Sequence, residues 1–332
     1  MENGEMKRRE FIRAVVGALC ARSASAYAQQ KSIARIGVLR PLPPTAFPET
    51  LNAFYKGLAE LGYVEGRNLV IEHRWTAGHY EQLPALAAEL IQSQVSLIFT
   101  GGGAVTTLAA KASSRTVPIV FVAGDDPVRA GIVSTLNRPE SNITGISLYA
   151  FDIEAKKLEV LVELVPNARD LAVLRNPTAP EAEPQADMLK NAAAKLGRGL
   201  HLLSASSGDE IEAAFTTLPS LQAGAMLIVN DVFFSVRSGQ IIALAQKHSI
   251  PAIFDFRHHV LAGGLISYGS SLTGAYQQGG IYAGRILKGE KPAELPVMLP
   301  TKFEMVINLG TAKALGVSVS STLLARADEV IE

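Results

Sequence analysis

Val95-Ser96-Leu97-Ile98-Phe99-Thr100-Gly101-Gly102-Gly103-Ala104 is a short apolar run that stops at three glycines and passes straight into a helical pattern. A run of this length bounded by turn residues reads as a strand buried on both faces. The glycines allow close approach to the backbone, and the N–H groups opening the helix suit a carboxylate or phosphate. A flexible strand–helix turn with a Thr cap explains the same residues. Neither the G-x-G-x-x-G nor the G-x-x-x-x-G-K spacing is present, so no nucleotide fingerprint is read here.

Outward from this stretch the alternation repeats. Strands are expected over 33–39, 68–75, 117–122 and 143–148, with helices over about 51–61 and 81–92. A second series follows: helices at 153–165, 183–196, 209–218, 236–248 and 275–287, and strands at 170–174, 200–204, 225–229, 252–254, 265–268 and 303–307. A last helix is expected from Thr311. Strands separated by helices at this spacing imply right-handed βαβ units and parallel sheets. The chain has 332 residues, more than one core usually serves, so the expected fold class is α/β with two doubly wound parallel-sheet lobes.

Composition excludes several function classes. Lys+Arg and Asp+Glu both number 31, and no basic stripe marks a nucleic-acid binder. One cysteine, Cys20, rules out a disulfide framework and a thiolate metal site. His258 and His259 are adjacent and would point about 100° apart on a helix, so no metal ligation is expected and packing or solvated roles are. No G-x-S-x-G elbow occurs, and no enzyme activity and no cofactor are expected.

The first residues read as an export signal over 1–28. Lys7-Arg8-Arg9-Glu10-Phe11 resembles the twin-arginine motif, an apolar run spans Ala14–Ala21, and Ala26-Tyr27-Ala28 offers a cleavage site. Cleavage there would remove Cys20 together with five basic and three acidic residues, leaving a net charge of about −2, ordinary for a soluble domain. The expected location is periplasmic.

In open parallel sheets ligands lie beyond the carboxyl ends of strands. Besides Thr100–Ala104, those ends carry Arg40 before Pro41, the pair Asp125-Asp126 before Pro127, and Asn176, Asn230-Asp231, Phe254-Asp255 and Tyr268. One of the acidic pair is expected to cap a helix opened by Pro127, leaving the other free. The mixture suits a small polar ligand with an apolar body.

The residues also resemble a known family. Segments Lys7–Phe11, Phe54–Asn68, Pro118–Phe121, Asp126–Val128 with Ala130-Gly131, Asn142–Gly145, Gly263–Gly269, Arg285–Gly289, Pro300–Glu304 and Asn308-Leu309 are together similar to the periplasmic solute-binding proteins of ABC importers, in the group related to tryptophan- and tyrosine-binding proteins. The resemblance implies a type I periplasmic-binding fold, with crossings between lobes near 146–150, 267–271 and 297–302. One lobe would comprise 33–147 plus 270–298, and the other 148–269 plus 299–332. It implies a monomer that captures an amino acid or similar carboxylated metabolite in the interlobe cleft and delivers it to a permease with a separate ATPase. The expected ligand residues are Arg40, Thr100, Gly101, Gly102, Ala104, Asp125 and Asp126 from the first lobe. Asn176, Asn230, Asp231, Phe254, Asp255 and Tyr268 are expected from the second. Helix N-termini would hold the anionic end, and an aspartate a cationic one. A ligand-sensing domain and, less favoured, a sugar-nucleotide-type transferase are the alternatives.

Overall fold

Apolar residues of the central strands alternate between two faces, and each of the two sheets has a core cluster on both. The computed structural model describes residues 33–43, 45–139, 141–148, 153–179, 182–300 and 302–332. The expected export signal lies outside them, as do residues 149–150 of the first expected crossing and Thr301 of the third.

The first series comprises β1 (Ala34–Arg40), α1 (Pro48–Glu60), β2 (Leu69–Trp75), α2 (Leu83–Gln92), β3 (Leu97–Gly101), α3 (Ala104–Ser113), β4 (Ile119–Ala123) and β5 (Ile143–Ser147). Its strands form a parallel sheet ordered β2-β1-β3-β4-β5. The period of two is visible in β3, where Leu97 and Phe99 join one core cluster and Ile98 the opposite one.

The second series runs α4 (Ile153–Leu164), β6 (Asp170–Arg175), α5 (Ala182–Lys195), β7 (Gly199–Ser204), α6 (Gly208–Thr217), β8 (Ala223–Ile228), α7 (Val232–Val236), α8 (Ser238–Lys247), β9 (Ala252–Phe254), α9 (Arg257–Leu261) and β10 (Ile266–Ser270). It continues through α10 (Leu272–Leu287), β11 (Phe303–Asn308), α11 (Leu309–Ala314), α12 (Ser321–Arg326) and β12 (Glu329–Ile331). The second sheet is ordered β12-β11-β10-β9-β8-β6-β7. Its core β7-β6-β8-β9-β10 repeats the winding of the first sheet, so each lobe has a switch point, at β1/β3 and at β6/β8.

The short elements α9, α12 and β12 add to those expected, and two further details differ. The helix expected over 236–248 is α8, and the short α7 that precedes it was not expected, started by the Asp231 side chain bonded to the Phe233 N–H. β11 pairs antiparallel to β10, with Ser270 opposite Phe303. The cause is the route of the chain. β10 leaves the second lobe at its carboxyl end, α10 packs beside α1 and on β3, β4 and β5 of the first lobe, and the return begins where β10 ended. α1 and α10 touch backbone to backbone: a Cβ on Gly57 would collide with the Gln277 carbonyl, and one on Gly280 with that of Phe54.

The chain thus passes between the sheets after β5, between β10 and α10, and before β11. The passages are tied together. Met298 N–H donates to the Gly145 carbonyl at 3.0 Å, Ser147 N–H to the Met298 carbonyl at 2.8 Å, and Ser270 Oγ to the Leu148 carbonyl at 3.3 Å.

Candidate functional site

A cavity of about 390 Å³ lies where the two switch points face each other. From the first lobe come Gly102, Ala104 and Asp125; from the second, Glu154, Asn176, Asn230 and Asp231. The lobes touch beside it: the Phe47 and His258 rings are 4.2 Å apart, centroid to centroid, across the cleft.

On the first lobe, Gly102 and Gly103 adopt φ of 96° and 90°, which glycine alone adopts without strain. The turn aims α3 at the cavity. Its Ala104 N–H, however, already donates to Asp125 Oδ2 at 2.6 Å. Burial pushes the Asp125 carboxyl above its usual range, opposed by that bond.

The second lobe mirrors this. Asp231 Oδ1 accepts the Phe233 N–H at 2.7 Å at the start of α7, and Asp231 Oδ2 accepts from Asn176 Nδ2 at 3.2 Å. Asn176 Oδ1 in turn accepts the Thr178 N–H at 3.1 Å. Burial raises the Asp231 carboxyl, and Asp125 across the cleft raises it further. At the starts of α3 and α7, two of the helix ends expected to hold an anion, one N–H is thus already bonded to a carboxylate of this chain. Among the residues lining this cavity the charged ones are acidic, Asp125, Glu154 and Asp231.

Glu154 links the cavity to a buried ion cluster. Its Oε1 accepts the Asn230 N–H at 3.2 Å, while its Oε2 accepts from Lys157 Nζ at 3.0 Å. Lys157 also donates to the Ile228 carbonyl and to Asp255 Oδ1, each at 2.6 Å. Asp255 thus sits behind the cavity wall, paired within its own lobe. Burial pushes its carboxyl above the usual range, opposed by the lysine.

Several other expected ligand residues also lie away from this cavity. Thr100 is fully buried, its Oγ1 3.0 Å from Thr107 Oγ1. Gly101 faces Tyr276, whose hydroxyl occupies the place a Cβ would take. Asp126 Oδ1 accepts the Val128 and Arg129 N–H groups and closes an exposed turn. No helix begins at Pro127, because the segment forms only turns there. Phe254 points into the core beside Ile242 and Phe215, and Tyr268 stacks on Phe303 at 6.2 Å. Strand alternation turns these side chains away from the cleft. Sequence reasoning missed Tyr80, Val105, Glu154, Gln185 and Phe233, which line the cavity from helices and turns rather than from strand ends.

A smaller chamber of about 80 Å³ adjoins the first and shares Gly102, Gly103 and Asn230 with it. It is lined by Arg40, Phe47, Phe256, His258 and Tyr276. His258 and His259 are packed, with rings 4.1 Å apart, and burial pushes His258 down to about 4. Among the described residues no group of three or more His, Cys, Asp or Glu is placed to hold a metal, and no helix is long and apolar enough to cross a membrane.

Residues 35–331 match the family model described as ABC transporter substrate binding protein. A tyrosine-binding protein of Clostridioides difficile is 25% identical over 283 residues, covering 84% of this chain and 80% of the relative. A conserved domain protein of Vibrio cholerae superposes with a TM-score of 0.81 at 26% identity, over 90% of this chain and 99% of that one. A Streptococcus pneumonia domain solved in complex with L-Trp gives 0.82 at 24% identity, over 90% and 100% of the two chains.

Proposed function

The chain belongs to the ABC transporter substrate-binding protein family, and from that premise we propose that it captures an amino acid or similar small carboxylated metabolite between its lobes. It would work as a monomer outside the cytoplasmic membrane, exported by the twin-arginine signal, and pass the ligand to a permease driven by a separate ATPase.

The observation that carries this reading is the pair Asp125 and Asp231, which face one cavity from opposite lobes. A ligand donating to both binds the closed arrangement better than the open one. Only that difference in affinity can drive closure. Moving a population from 1:99 to 99:1 closed needs a preference of about 10⁴-fold. Tyr80 and Phe233 offer ring surface beside the carboxylates. The named ligands of the relatives, tyrosine and L-Trp, support an aromatic amino acid as the first candidate.

Calorimetric titration with the common amino acids tests the ligand class. Micromolar or tighter binding of at least one is expected; no binding by any of them rejects the class. Fractionation of cells expressing the chain with Arg8→Lys and Arg9→Lys tests export, with the variant retained in the cytoplasm as the expected result.

A further inference from the structure

Arg40 ends β1 with 4% of its surface exposed and lines the smaller chamber. Its Nη2 donates to the Ala46 carbonyl at 3.4 Å, the long end of the range for such a bond. Its guanidinium carbon lies 5.7 Å from the centre of the Tyr276 ring. Nη1 is buried and has no partner among the described residues. Lys157 is equally buried, yet it meets two carboxylates and a carbonyl. The contrast is physical: a cation taken out of water without a counter-charge is costly, and native structures rarely leave one so.

The two chambers have opposite character. The larger carries Asp125, Asp231 and Glu154; the smaller carries the Arg40 guanidinium. His258 adds no positive charge near neutral pH, since burial pushes it down to about 4. Gly102 and Gly103 form the neck between them, and a Cβ on Gly103 would lie 3.2 Å from Asp125 Oδ2. A Cβ on Gly102 would collide with Pro41. Both Cβ positions are thus taken, by Pro41 and by Val232 with Asp125, so the two chambers meet along bare glycine backbone.

We propose that Arg40 is the anion subsite of the cleft: a ligand's carboxylate enters the smaller chamber and accepts from Nη1, its ammonium stays at the glycine neck beside Asp125, and its remaining bulk fills the larger chamber. The substrate class is then a zwitterion, rather than an amine or a neutral polyol. This assignment rests on reading the cleft as the solute site.

The test is calorimetric titration of L-tyrosine, L-tryptophan and their decarboxylated counterparts tyramine and tryptamine into the full mature chain and its Arg40→Met and Arg40→Lys variants. The wild type is expected to prefer an amino acid over its amine by about 100-fold, as losing a hydrogen-bonded charge pair implies. In Arg40→Met that preference should fall below threefold while amine affinity holds, and Arg40→Lys should keep part of it. The ligand-free Arg40→Met protein should melt no lower than wild type, because an unpaired buried cation has gone; a merely structural arginine would lower the melting temperature. Preference retained in Arg40→Met, or a wild type that binds the amine as well, overturns the Arg40 assignment and leaves the solute site standing. Failure of all four probes to bind the wild type overturns the aromatic amino-acid reading and this assignment with it. Should Arg40→Met not fold, an unchanged preference in Arg40→Lys overturns the assignment of the carboxylate to the guanidinium Nη1 by itself.

Discussion

Lys157 Nζ and Asp255 Oδ1 lie 2.6 Å apart inside the second lobe, joined from α4 and the end of β9 across 98 positions of sequence. Glu154 extends the pair to the Asn230 amide, so the wall of the cavity hangs on an ion cluster whose lysine is fully buried. Removing one partner of a buried pair strands the other charge, at about 3–5 kcal/mol. Lys157→Met is therefore expected to lower unfolding free energy by about that much, measured by urea denaturation. A loss under 1 kcal/mol would show the carboxylates sharing a proton without help from the lysine.

His258 gives a pH dependence of known sign. Its folded value, about 4, lies below the ordinary 6.5, so between those values the unfolded chain binds more protons than the folded one. Its contribution is complete above pH 6.5 and disappears as pH falls towards 4, on the order of 3 kcal/mol in all. Asp255 acts in the opposite direction, its raised carboxyl costing stability as pH rises above the ordinary aspartate range. Comparing wild type with His258→Phe isolates the histidine: between pH 7 and 4 the variant should lose less stability by roughly 3 kcal/mol. Parallel curves for the two proteins would refute the assignment of a neutral buried ring.

Asp125→Asn separates charge from capping. Asparagine caps helices as well as aspartate does, so melting should change little. Replacing a charged acceptor by a neutral one costs about 1.5–3 kcal/mol of binding to an ammonium group, roughly 10- to 150-fold in Kd. Unchanged affinity for a cationic or zwitterionic ligand would place that group elsewhere in the cavity.

Phe47 closes the mouth of the cleft on His258 while holding φ at 54°, a left-handed conformation uncommon for a residue of its size. An aromatic contact contributes about 0.5–1.5 kcal/mol. Phe47→Ala should weaken ligand binding about two- to tenfold and enlarge the ligand-free particle in small-angle X-ray scattering. An identical scattering profile together with unchanged affinity would mean that this contact does not hold the lobes together.

The architecture was legible because apolar runs and turn residues alternate without interruption, and Thr100–Ala104 shows why: five buried strand residues, Leu97–Gly101, lead into glycines and a helix. The direction of β11 was not legible, since an apolar strand reads alike in either sense and only the detour of α10 decides it. Among candidate ligand residues, Gly102, Ala104, Asp125, Asn176, Asn230 and Asp231 do line the larger cavity, and Arg40 the smaller one. Phe254 and Tyr268 were chosen for standing at strand ends, but the pleat points them elsewhere. Asp255 was an expected ligand residue because its partner Lys157, in the second turn of α4, stands where lysine is usually solvated. Helix residue Glu154 carried no local signal at all.

The three passages between the sheets, laced through Met298, Gly145, Ser147, Ser270 and Leu148, change what closure demands of the ligand. Two separate bodies would lose translational and rotational freedom on meeting, at an estimated cost of about 4–15 kcal/mol. Bodies joined by a short, bonded ribbon meet at an effective concentration set by the tether instead. The ligand therefore need only bias a bend. Under the proposed closure, a cross-cleft contact as slight as Phe47 on His258 weighs in the balance, and a molecule that fits the 390 Å³ cavity is large enough to tip it.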